Sequence, residues 1–217
     1  LGGARVLASA GRTEEPLEPV RVLTNRSSGR MGVALAEAAR DRGADVTLVA
    51  GAMSVDPPDR VRLVRAATAS EMEQAMLAEA PAADVVLMAA AVSDYRPARA
   101  AREKIARTSE PLTLALEPNA DILAQLGRAR RAGQVLVGFA LETTHDVKRA
   151  RAKLGAKGVD LVVLNSAGEA IGGGTDRGTL VGADEEPELP RHAQRRVAGE
   201  RLDRAGARAR GARGRPA

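Results

Sequence analysis

Residues 21–50 read RVLTNRSSGRMGVALAEAARDRGADVTLVA, and the order of patterns in this stretch decides the fold class. From about Met31 to Arg42 the apolar residues recur at helical spacing on an Ala-rich background, and Gly43 supplies the stop. Asp45 to Ala50 then forms a short apolar run with β-branched residues, the pattern of a buried strand. Ahead of the helix, Thr24 to Gly32 is a Ser/Gly turn whose backbone N–H groups can cradle a phosphate at the helix N-terminus. A turn that only packs the helix against a strand has the same composition, so the turn alone does not decide function.

The same alternation extends in both directions. Further strands are expected at Arg5 to Ala10, Val61 to Arg65, Val85 to Ala90, Val135 to Ala140 and Asp160 to Leu164. Thr68-Ala-Ser-Glu71 has the spacing of a capping box and opens a second helix; others are expected near Asp121 to Arg130 and Thr143 to Lys157. Helices alternating with short buried strands predict an α/β fold, a Rossmann-like three-layer α/β/α arrangement with a mostly parallel central sheet. Two stretches break the rhythm, Tyr95 to Pro111 and the Gly-rich Ala167 to Gly178, and read as binding loops or as plain linkers. One domain over residues 1–190 is expected, followed by a basic Ala/Arg/Gly-rich tail at 191–217 with too little apolar content to pack.

Charge placement bears on partners. The chain carries a net +5, but residues 191–217 alone carry +7, so the remaining 190 residues are mildly acidic at −2. With one Tyr, one Phe and no Trp there is little to stack on bases, and nucleic acid is not an expected partner. The absence of Cys excludes a thiolate nucleophile and a Cys-ligated metal, and fits a reducing compartment. No apolar run approaches the roughly 18–20 residues of a membrane span, and LGGARVLASAG opens as a strand, not a leader, so no membrane partner and a cytoplasmic place are expected. The sequence does not begin with Met, as expected of a piece of a longer polypeptide.

The turn followed by RGADVTLV superficially resembles an NAD(P)-dependent short-chain dehydrogenase. Thr13 to Thr24 separate the first strand from the turn, and the second strand ends in Val49-Ala50-Gly51, without the acid that accepts a ribose hydroxyl. Tyr95, the only tyrosine, is followed four residues later by Arg99, so the Tyr-x-x-x-Lys pair is missing. A second alternative is a non-catalytic nucleotide-binding module acting through the basic arm.

Four stretches carry a more specific resemblance: SAGRTEEPLEPVRVLTNRSSGRMG (9–32), MAAAVSDYRP followed by EKI (Met88 to Ile105), EPNADIL (117–123), and LVGFALET (136–143) before a helix bearing Lys153 and Lys157 and then DLVVLNS. In order and spacing they closely resemble the phosphopantothenoylcysteine synthetases, the phosphopantothenate–cysteine ligase domain of the bacterial bifunctional coenzyme A biosynthesis protein. The resemblance implies a ligase that uses CTP with Mg2+ to join 4'-phosphopantothenate to L-cysteine through an acyl-cytidylate, releasing pyrophosphate and CMP. It further implies a homodimer, and in many bacteria a flavin-dependent phosphopantothenoylcysteine decarboxylase domain on the same chain.

Site residues follow from the same resemblance. Lys104 is implied to lie on a flap and to reach the triphosphate and the intermediate. Asn25 and Arg21 match residues of the acyl intermediate and the second half-reaction. Met88, Ala89, Ala90 and Asp94, then Ala120, Asp121, Ile122 and Leu123, with Phe139, Lys153 and Lys157, match positions around the nucleotide. Small side chains at 89–90 let a flat base approach the backbone, a helix N-terminus at Asp121 offers free N–H donors, and Lys153 and Lys157 share a helix face. No protein ligand for the metal is implied, since Mg2+ is commonly carried by nucleotide phosphates. The sequence departs from the family pattern at Arg12, usually small, at Ala120 in place of Pro, at Ser166 in place of Asp, and in its tail, where a closing helix is usual.

Overall fold

A computed structural model describes residues 1–142, 147–166, 175–182 and 188–193. In chain order its elements are β1 (Arg5–Ala10), β2 (Glu14–Pro16), β3 (Val22–Thr24), α1 (Arg30–Asp41), β4 (Asp45–Ala50), β5 (Arg62–Arg65), α2 (Ala69–Glu79), β6 (Val85–Met88), β7 (Tyr95–Pro97), β8 (Leu116–Pro118), α3 (Ile122–Ala129), β9 (Val135–Glu142), α4 (Val147–Lys157), β10 (Leu161–Ser166), β11 (Thr175–Val181) and β12 (Glu188–Ala193). Eight of the strands form one sheet in the order β12-β11-β10-β9-β6-β1-β4-β5. From β10 to β5 every neighbouring pair is parallel, whereas β11 and β12 add antiparallel strands at one edge.

Burial on both faces explains the near-continuous apolar runs of the central strands. Along β1, Val6, Ala8 and Ala10 face the α1 side with Leu35, Ala36 and Ala39, while Leu7 joins Met72, Met76, Ile122 and Leu126 of α2 and α3 on the other. The sheet is thus the middle of three layers. Leu35 and Leu48 are fully buried, each stabilising by about 2 kcal/mol relative to an exposed position. Gly32 permits the close seating of α1: a Cβ there would lie 2.5 Å from the Ser9 carbonyl oxygen and the Ala10 Cβ.

The expected bounds of β1 and β4 coincide with the observed ones, and α1 begins one residue earlier than expected. The Thr68 hydroxyl accepts the Glu71 N–H at 3.2 Å, while Glu71 reaches back to the Ala67 N–H, one residue before the cap, at 2.7 Å. Strand β6 stops at Met88 and not at Ala90, because the buried Ser9 hydroxyl takes the N–H groups of Ala89 and Ala90, each at 3.0 Å, out of the ladder. Strand β9 runs on to Glu142, and β10 is shifted to Leu161–Ser166.

Six strands stand where irregular chain was expected or no element was foreseen. The hairpins β2–β3 and β7–β8 are separate two-stranded sheets, and β11 occupies part of the Gly-rich segment. Strand β12 carries the sheet to Ala193, past the expected boundary between 190 and 191; the remainder of the expected tail, from 194, lies outside the described residues. Among the described residues no helix is long and apolar enough to cross a membrane.

Candidate active site

The chain leaves β1 for β4 and β5 on one side, then returns to β6 on the other, so the carboxyl ends of β1 and β6 border a topological switch point. Open α/β sheets bind ligands there. Gly11 has φ +81°, and its N-terminal neighbour ends β1 against Ala50 of β4. Its carbonyl accepts the Ala91 N–H at 2.8 Å, tying the loop after β1 to the loop after β6.

This second loop, 88–94, is held from three sides. Thr13 Oγ1 accepts the Ser93 N–H at 2.9 Å, the Asn25 side-chain amide donates to the Val92 carbonyl at 3.1 Å and more weakly to that of Ala91, and Asn119 Nδ2 donates to the Ser93 carbonyl at 2.9 Å. The Asn119 N–H adds a bond to the Asp94 carbonyl at 2.8 Å. Ala89 and Ala90 are half-buried, Asp94 is exposed, and the Ser93 hydroxyl is buried without a hydrogen-bond partner. Asn25, the 88–94 loop and the 117–123 segment are therefore one connected structure, although they are distant in sequence.

At the start of α3, Asp121 is itself the cap, its Oδ1 accepting the Ala124 N–H at 3.0 Å. One of the N–H donors expected to be free is thereby occupied. Asp121 Oδ2 pairs with Lys157 Nζ at 3.2 Å, bringing together two residues singled out separately in the sequence. The helices meet closely because residue 127 is glycine: a Cβ there would overlap the Lys157 carbonyl oxygen. Ile122 is buried, Leu123 is half-buried against Gly138, and Ala120 is exposed. Phe139 is half-buried and packs on the α1 side of the sheet, opposite the layer that holds Leu123. Lys153 lies on α4, but its side chain, like that of Ser166, lies outside the described residues.

Arg21, in the turn of the β2–β3 hairpin, lies against the segment that carries Lys104. Lys104 is exposed, in the segment between β7 and β8. Arg21 donates from Nε to Glu18 at 2.9 Å and from Nη2 to the Ile105 carbonyl at 2.7 Å. Glu18 also accepts the Ile105 N–H at 2.9 Å. The hydrogen bond from Arg21 holds the Glu18 carboxyl below the ordinary glutamate range; burial opposes this, and the Ile105 N–H adds to the lowering.

Arg12 lies across the turn before α1: Nη1 donates to the Ser27 carbonyl at 3.0 Å and Nη2 pairs with Glu14 at 3.1 Å. Sequence reasoning did not single out Ser9, Thr13, Glu15, Glu18 or Asn119. Each is a polar side chain bonded to the backbone of a distant segment, and the only signal for the glutamates was their position inside the TEEPLEP motif.

The comparisons with known proteins agree with this architecture. The family model for the DNA/pantothenate metabolism flavoprotein C-terminal domain matches residues 1–207. A coenzyme A biosynthesis bifunctional protein CoaBC of Mycobacterium tuberculosis is 44% identical over 93% of this chain and 51% of its own length. A protein named cysteine/cysteine sulfinic acid decarboxylase, from an unknown prokaryotic organism, is 42% identical over 83% of this chain and 52% of its own length. The chain thus spans about half the length of these curated relatives. The crystal structure of the C-terminal domain of a CoaBC protein superimposes with a TM-score of 0.80 at 37% identity, covering 94% of each chain. With a family model covering residues 1–207, a relative 44% identical over 93% of its length and a solved domain of the same fold, this chain belongs to the DNA/pantothenate metabolism flavoprotein C-terminal domain family.

Proposed function

We propose that this chain is a phosphopantothenate–cysteine ligase using CTP. A carboxylate oxygen of phosphopantothenate attacks the α-phosphorus of CTP and pyrophosphate leaves. The cysteine amine then attacks the acyl carbonyl, loses a proton as the amide forms, and expels CMP. The observation that carries this reading is the bonded convergence of Asn25, the 88–94 loop and the Asp121–Lys157 pair beside the switch point. These are the segments through which the sequence resembles the ligase family.

In this assignment the backbone and small side chains at Met88, Ala89 and Ala90 receive the base, with Asp94, Ala120, Asp121, Ile122, Leu123 and Phe139 around the nucleoside. Lys153, Lys157 and Lys104 supply positive charge where phosphate charge gathers, which stabilises an in-line displacement more than it stabilises the ground state. Asn25 both donates and accepts hydrogen bonds, as holding an acyl phosphate under attack requires. Arg21 adds a fixed guanidinium beside Lys104 for the second half-reaction. Mg2+ would neutralise triphosphate charge, carried mainly on phosphate oxygens as Mg2+ commonly is.

A homodimer is part of the proposal. The two hairpins leave Val20, Val22, Tyr95, Leu112, Leu114 and Leu116 exposed, an apolar character that suits burial against a second copy. By analogy with the CoaBC relatives we place the domain with a flavin-dependent phosphopantothenoylcysteine decarboxylase, in the cytoplasm. The dehydrogenase reading is disfavoured: β4 ends at Ala50, and Gly51 packs on the Arg12 backbone where a dinucleotide site would carry an acid.

Asn25→Asp tests the second step. The substitution removes the amide donor assigned to holding the acyl phosphate while the cysteine amine attacks, so the second step is expected to slow and acyl-cytidylate to accumulate and be trapped on quenching. Normal amide formation with no trapped intermediate would remove Asn25 from this role.

A further inference from the structure

The turn at 17–21 grips the segment that carries Lys104. The Leu17 carbonyl accepts the Ala101 N–H at 2.9 Å, before Lys104. After it, Ile105 is held at both ends of its own residue: its N–H donates to Glu18 Oε2 at 2.9 Å and its carbonyl accepts Arg21 Nη2 at 2.7 Å. Arg21 Nε closes the ring on Glu18 Oε1 at 2.9 Å. The Glu18 side chain is fully buried with both oxygens engaged, whereas Arg21 is nearly half-exposed. A buried carboxylate so engaged is intolerant of losing a partner, since the uncompensated charge has no access to water. The grip therefore holds the Lys104 backbone in place while the Lys104 side chain extends into solvent.

We propose that Glu18 is a positioning residue for the carboxylate-activation step, fixing through Arg21 and Ile105 the backbone from which Lys104 projects; this rests on the ligase reading above. Lysine has a long flexible stem, and ordering it at the triphosphate costs conformational entropy at every turnover. Pinning the backbone removes part of that cost beforehand. Glu18 has no contact with the reacting atoms in this role.

Two variants and two readouts test it. Glu18→Ala removes both acceptors. Glu18→Gln keeps the shape but sets an amide N–H2 against a donor, which breaks one side of the ring and serves if the alanine variant does not fold. Trypsin cleavage after Lys104, followed by mass spectrometry under native conditions, is expected to be about tenfold faster in either variant, as expected from losing a charge-assisted bond. Pyrophosphate release is expected to fall about tenfold in the Glu18 variants of the parent chain but to change little when the same substitution is added to Lys104→Ala, since residues acting as a unit are not additive. Cleavage as slow as in the parent chain overturns the grip, and additive losses in the double variant overturn the link to Lys104. If the unmodified chain releases no pyrophosphate, the ligase reading fails and the catalytic half of the proposal with it, while the cleavage rates still decide whether Glu18 holds the segment.

Discussion

The central sheet and the two hairpins beside it are built on different physics. Strands β1, β4, β6 and β9 are apolar runs buried on both faces, and what fixes them is area removed from water and close packing. The hairpins β2–β3 and β7–β8 have strands of three residues, several exposed apolar side chains, and buried carboxylates at Glu15 and Glu18. Directional polar bonds to distant backbone hold them: Glu15 to the Ala69 N–H at 2.9 Å, Glu18 to Ile105, and Thr24 to the Thr13 carbonyl at 2.6 Å. The sheet is held by burial, and the hairpins are joined to its edge by these bonds.

The largest expected effect separates the two by stability. Leu48→Ala, at a fully buried position of β4, should cost about 3 kcal/mol in urea unfolding, whereas Val22→Ser on the exposed hairpin face should stay within about 0.5 kcal/mol. A large loss at Val22 would mean that the hairpin is buried, for example in a dimer, and measuring the same variants at several protein concentrations would reveal it. Next comes activity. Lys104→Ala should slow pyrophosphate release about a hundredfold with unfolding free energy unchanged within about 0.5 kcal/mol. Release at the parent rate would take Lys104 out of the activation step.

Glu15→Gln should loosen the join between hairpin and sheet by about 1–2 kcal/mol, since it weakens the bond to the first N–H of α2 at a buried position. An unchanged unfolding midpoint would show that the join does not depend on that charge. The smallest effect is one of pH. Because the folded-state Glu18 value is depressed, its stabilising contribution is full above the ordinary glutamate value of about 4.3 and is lost only as pH falls through the lower folded value. Hydrogen exchange of the Ile105 amide should therefore stay slow through the ordinary glutamate range and quicken only below it; quickening within that range would contradict the depressed value.

What the sequence made legible divides along the same line. Hydrophobic periodicity gave the bounds of β1 and β4, and Thr68 with Glu71 marked the start of α2, because burial and capping leave local patterns. Strands of three residues leave no alternation to read, so β7 falls in the stretch expected to be irregular and β2, β3 and β8 are not foreseen. Strand β11 was hidden by its glycine: TDRGTLV carries an irregularity between Asp176 and Gly178, where its pairing with β12 shifts register. For the site, motif resemblance picked out Asn25, the 88–94 segment and the residues around Asp121, while Glu18 and Asn119 escaped notice. Their roles are bonds to backbone 87 and 26 residues away, which neither composition nor spacing encodes.

The most direct test of the central claim is pyrophosphate release from CTP and Mg2+ by the purified chain, with and without phosphopantothenate, followed by addition of cysteine. The account predicts release that requires phosphopantothenate, and CMP appearing with the amide once cysteine is present. A folded chain that binds CTP and yet releases no pyrophosphate in the presence of phosphopantothenate would contradict it.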